Sequence, residues 1–125
     1  MTIEQIRAAS ARELADTSED AHEISETTPS SVTEDIKNFI GSLSSENCIF
    51  VPVVDDDLGF YGWCSDGVAK KVKIAGGRPV YGWTIWEWPN VILTAEFHCV
   101  WQDSGGALVD ITPKPKRETR ILFVP

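Results

Sequence analysis

Three cysteines (Cys48, Cys64, Cys99), two histidines (His22, His98) and 19 acidic side chains are the groups in this 125-residue chain best suited to act as nucleophile, base or ligand. Cys64 is the best placed of the thiols. The residues after it, Ser65 to Ala75, put Val68, Val72 and Ala75 on one helical face and lysines on the other, so Cys64 stands directly before a helix over 65–75. Helix N-termini carry partial positive charge and unpaired N–H groups, which favour thiolate over thiol and can cradle an oxyanion. His98 lies in Val91-Ile-Leu-Thr-Ala-Glu-Phe-His-Cys-Val-Trp101, an extended run. Alternation puts Val91, Leu93, Ala95, Phe97, Cys99 and Trp101 on an apolar core face, and His98 with Ile92, Thr94, Glu96 and Val100 on a mixed face. Cys99 therefore reads as structural.

The turn that follows selects an acid. In Gln102-Asp-Ser-Gly-Gly106 a three-residue loop, Asp103 to Gly105, pairs Gln102 with Gly106 and sets Asp110 directly opposite His98. Opposed Cβ atoms lie about 4.5–5.5 Å apart, close enough for a carboxylate to hold an imidazole. A two-residue loop would instead turn Asp110 to the other face. The chemistry of such a set is acyl transfer: Cys64 as nucleophile, His98 as base and then acid, Asp110 fixing the ring. Plainer readings exist for each, a buried thiol or a satisfied strand histidine. Glu96, two residues from His98 on its face, is the alternative orienter. Backbone N–H groups of Cys64 or Ser65, or a side chain such as Trp63 or Tyr61, would supply an oxyanion donor. Trp86, with Trp83, Trp88 and Trp101, either lines an apolar slot or fills the core. The chemistry calls for no cofactor, and a metal site made of Cys64, His98 and Asp110 lacks a fourth ligand in the sequence.

The order Cys64, helix, Gly76-Gly77, strand, His98-Cys-Val-Trp101, Asp110-Ile-Thr-Pro113 resembles the papain-like and transglutaminase-like cysteine hydrolase superfamily. His-x-x-Trp followed by Asp-x-Thr is particularly like the transglutaminase-like branch. Tyr81-Gly-Trp-Thr-Ile-Trp-Glu-Trp-Pro89 with Ala95-Glu-Phe-His98 is also similar to a family of uncharacterised bacterial proteins. The resemblance covers about residues 60–125. It implies a peptidase, deamidase, amidase or acyl transferase acting on a protein or peptide amide. The chain departs from the papain pattern in having no glutamine shortly before the cysteine; its only glutamines are Gln5 and Gln102.

These residues need a scaffold. The pattern predicts helices over 2–16 and 32–43, the second opened by a Ser31-Val-Thr-Glu34 capping box. Between them, 17–30 is an acidic linker containing His22. Residues 48–54 read as an extended segment limited to an edge by Pro52, and Asp55 to Asp57 as a solvated turn. Gly76-Gly77 ends the helix over 65–75. Strands follow at 80–87, 91–102, 106–112 and 120–124. The expected fold is α+β: the nucleophile helix packed on an antiparallel sheet, with N-terminal helices on the other face. An acidic N-terminal region, 1–45, would precede a core over 46–125.

Charge divides the chain. Residues 1–57 hold 13 acidic and 3 basic side chains, and 58–125 hold 6 and 8, for a net charge of −8. That balance argues against nucleic acid as a partner. It leaves a second reading, a non-catalytic acidic module that binds or inhibits a basic protein surface. No apolar run nears the roughly 20 residues of a membrane span, and no signal peptide opens the sequence. The expectation is a cytoplasmic protein with free thiols, since no C-x-x-C occurs.

Overall fold

The structure, a computed structural model, describes residues 26–114 and 116–125. The helix expected over 2–16, His22 and the stretch up to residue 25 lie outside the described residues. The described elements are α1 (Glu34–Gly41), β1 (Ile49–Pro52), α2 (Cys64–Ala75), β2 (Arg78–Trp88), β3 (Ile92–Gln102), β4 (Leu108–Val109) and β5 (Arg120–Val124). The architecture is α+β, an antiparallel five-stranded sheet in the order β1-β5-β2-β3-β4. No described helix is long and apolar enough to cross a membrane.

The sheet is built around the β2–β3 hairpin, paired from Arg78↔Gln102 through to Trp88↔Ile92. Its Val, Ile, Thr and aromatic residues suit a pleated surface. The sheet also rolls up. Val53, just past β1, forms a parallel bridge to Asp110, just past β4. Asp110 N–H donates to the Pro52 carbonyl (2.9 Å), and Val54 N–H donates to the Asp110 carbonyl (3.0 Å). The two edges thus meet, and Val51, Val100, Ile121 and Phe123 fill the inner side.

Both helices pack on the outer side. Ile36 and Ile40 of α1 bury against Ile85, Leu122 and Val124, while Val68 of α2 buries against Cys99 and Ile111. The expectation that the N-terminal helix and α2 take opposite faces is corrected: the rolled sheet fills its inner face with its own side chains, leaving one face for helices. The α1 cluster joins residues on both sides of position 45.

Local differences have local causes. The cap of α1 is Thr33, not Ser31; its hydroxyl accepts from Ile36 N–H (3.3 Å). Both residues fit a capping pattern, and Val32 packs against the α1 core instead of entering the helix. The end of the expected linker is tied down. Thr27 and Glu87 exchange backbone hydrogen bonds of 2.8 Å, and Thr28 Oγ1 donates to the Arg120 carbonyl (3.0 Å).

Candidate functional site

The start of α2 is pinned from three sides. Gly59 lies so close to the post-β4 segment that a Cβ there would overlap the Ile111 carbonyl oxygen. Asp56, expected to be solvated, accepts from Leu58 N–H (2.9 Å) and from Lys71 Nζ (2.7 Å). The Lys71 hydrogen bond, with that of Leu58, holds the Asp56 carboxyl below its ordinary range. Lys71 also lies over the Trp101 ring, 5.0 Å from its centroid, and Trp101 Nε1 donates to the Gly76 carbonyl (2.9 Å). The segment before α2 is thus held against the chain after β4, and the C-terminal end of α2 is held to β3.

His98 and Asp110 meet, although the hairpin register differs from expectation. Trp101 pairs with Val109 and Gln102 with Leu108, two residues further along than expected. The loop is Ser104-Gly105-Gly106, and its last residue, Gly106 (φ 94°), takes the left-handed conformation that glycine allows. The Asp103 carboxylate explains the choice: it accepts from both Gly105 and Ala107 N–H at 2.9 Å, folding the turn around itself. A shift of two residues preserves the face, so Asp110 becomes a diagonal neighbour of His98 instead of its direct partner. The strand expected over 106–112 shortens to Leu108–Val109, because Asp110 leaves to bridge Val53.

That early departure opens a place for the thiol. Asp103 N–H donates to Ala107 O (2.9 Å), so by alternation the Cys99 N–H points out of the same edge of β3. β4 has ended there, and the Cys99 backbone N–H is near enough to Cys64 to favour its thiolate. The Ser65 and His98 side chains lie beside the same thiol and also favour its thiolate. Burial opposes the Cys64 thiolate, but the His98 hydrogen bond and charge, with the Cys99 and Ser65 donors, outweigh it and lower the thiol pKa.

His98 Nε2 lies 2.9 Å from Asp110 Oδ2, which leaves Nδ1 as the ring nitrogen for the sulfur. Asp110 is wholly buried; its Oδ1 accepts from Thr112 N–H (2.9 Å). Burial and the Lys114 charge disfavour imidazolium, yet the Asp110 charge and hydrogen bond, helped by Cys64, push the His98 pKa up to about 9. Burial likewise disfavours the Asp110 carboxylate, but the His98 and Lys114 charges hold it well below the ordinary carboxylate range.

Lys114 is the member the sequence reading missed. Its Nζ sits 2.6 Å from Asp110 Oδ2 and 3.2 Å from His98 Nε2, and its side chain is 5% exposed. The sequence does place a lysine four residues after the acid, in Asp110-Ile-Thr-Pro-Lys114, but outside a helix that spacing marks no contact. Only the fold shows that it turns inward.

The other candidates separate. Ser65 reaches the sulfur. Trp63, 67% exposed, precedes Cys64 as the helix cap residue and makes no side-chain cap bond. Trp86 is fully buried core. Glu96 stands opposite Thr84, and the carboxylate on the His98 ring is that of Asp110. Burial pushes the Cys99 thiol up to about 12, in keeping with a structural role. Among the described residues no group of three or more His, Cys, Asp or Glu side chains is placed to hold a metal ion. Comparison with known proteins finds no matching family model, no matching curated protein and no matching solved structure.

Proposed function

We propose that this chain carries out thiol-dependent acyl chemistry on an amide bond, with Cys64, His98 and Asp110 as a triad on a papain-like or transglutaminase-like core. One observation carries the reading. A thiol at a helix start lies beside an imidazole that lowers its pKa and whose Nε2 is held by a buried carboxylate. His98, Ser65 and the Cys99 N–H each favour the reactive form of the sulfur, against the effect of burial.

The roles follow from the contacts. The Cys64 thiolate attacks the carbonyl carbon. The first internal bond of α2 runs from Gly67 N–H to Trp63 O (3.0 Å), so the N–H groups of Cys64, Ser65 and Asp66 precede the ladder and suit a developing oxyanion. His98 donates its proton to the departing amine, leaving a thioester. It then takes a proton from water or an acceptor amine, which resolves the thioester as hydrolysis or transfer. Asp110 keeps Nε2 protonated, so that Nδ1 faces the sulfur throughout.

Iodoacetamide labelling at about pH 6, well below the usual thiol value near 8.5, tests the nucleophile. Cys64 should react while Cys99 does not, and a thioester should be trapped from an activated acyl substrate. Labelling of Cys64 no faster than that of an unfolded control would refute the reading.

A further inference from the structure

We infer that Lys114 is a fourth member of this site, a positioning cation that shares the Asp110 carboxylate with His98 and sets how tightly the ring holds its proton. The inference rests on the proposed triad and deepens it.

The geometry is specific. Asp110 Oδ2 receives both His98 Nε2 (2.9 Å) and Lys114 Nζ (2.6 Å), and the two donors stand 3.2 Å apart. A neutral ring and a charged one therefore meet different surroundings. When His98 is neutral, Lys114 alone balances the buried carboxylate. When His98 is protonated, two cations share one anion, and their repulsion weakens the hold on the proton. Lys114 thus does two things. It keeps Asp110 ionised in both states of the ring, and it offsets part of the stabilisation that Asp110 gives the imidazolium. A ring paired with a buried carboxylate and nothing else would hold its proton too tightly to act readily as an acid toward a departing amine. Lys114 lies on the Nε2 side, remote from the sulfur, so it acts through His98 and has no part in bond making.

Other charged or titratable groups also surround the ring. Cys64 comes from α2, with Asp110 and Lys114 from the segment after β4. Cys99 adjoins on β3, its burial disfavouring the thiolate, with Tyr81 opposite it on β2. Glu96 lies two positions back on the same face of β3. Of these groups, Lys114 is the cation whose charge opposes protonation of the ring.

The test is a nuclear magnetic resonance titration of the full chain, whose only histidines are His22 and His98. Lys114→Met should move the His98 midpoint upward by roughly one pH unit. Lys114→Arg, which keeps the charge, should restore it toward wild type, and the pH profile of Cys64 alkylation should follow. An unchanged or lowered midpoint in Lys114→Met would overturn the inference. Should Lys114→Met fail to fold, the wild type decides the matter: carbon-detected Lys114 Cε and Nζ shifts should titrate with the His98 midpoint, and shifts that ignore it would overturn the inference equally. None of these readouts needs turnover. A chain without acyl activity but with the predicted titrations would sink the proposed function and leave the role of Lys114 standing.

Discussion

Both helices lie on the outer face of one sheet, yet the ground beneath them differs. Under α1 the contact is aliphatic: Ile36, Ile40, Ile85, Leu122 and Val124, backed by Phe50 and Trp83. Under α2 the buried apolar set is smaller, Val68, Cys99 and Ile111, and beside it lie a thiol, an imidazole, a carboxylate and an ammonium. Apolar burial is non-directional and stabilises in proportion to area. A buried charge cluster depends on every partner, since removing one leaves the others uncompensated. The α1 end can therefore tolerate small changes in shape, whereas the α2 end tolerates few changes in chemistry.

The comparison breaks first at Cys64. Cys64→Ala should lower acyl transfer by roughly a thousandfold or more while moving stability by about 1 kcal/mol or less. Turnover and a thermal melt on one sample measure both. A large loss of stability with activity intact would make Cys64 a packing residue like those under α1.

Asp110→Asn attacks the cluster at its anion. Asparagine keeps an acceptor for Thr112 N–H but leaves Lys114 and protonated His98 buried without a counter-charge. The expected loss is about 3–5 kcal/mol in urea denaturation, and adding Lys114→Met should recover part of it. If single and double variants behave additively, the groups do not form one unit.

Acidity should also separate the two ends. The folded-state pKa of Asp110 is depressed, so its contribution to stability is present above the ordinary value of about 3.9 and lost as pH falls below it. The urea midpoints of wild type and Asp110→Asn should converge in acid; a gap independent of pH would mean that the carboxylate does not act through its charge. On the alkaline side the proposed turnover should decline as His98, the proposed general acid, loses its proton near pH 9. Undiminished turnover well above that pH would assign the acid role elsewhere.

The smallest effect belongs to the aliphatic end. Ile85→Val should cost about 0.5–1.5 kcal/mol and leave the rate of Cys64 alkylation unchanged. A changed alkylation rate would show that the two ends of the sheet are coupled.

The sequence by itself determined much of the local frame. The periodicity of Val68, Val72 and Ala75 placed Cys64 at a helix start, and alternation along 91–101 assigned His98 and Cys99 to opposite faces, both of which depend only on neighbours in the chain. Asp110 was found through a hairpin register that proved two residues off; the even shift kept the face, and the Asp103 carboxylate, a side chain folding its own turn, set the actual register. What only the tertiary structure decided involves groups distant in sequence. The Val53–Asp110 bridge ends β4 early and frees the Cys99 N–H for the sulfur. The roll of the sheet sends both helices to one side. Lys114 is turned inward by the chain leaving that bridge. A lysine after a proline has no local signal that distinguishes a solvated side chain from a buried one, because its partners, Asp110 and His98, are brought to it by the pairing of strands whose sequences lie far apart.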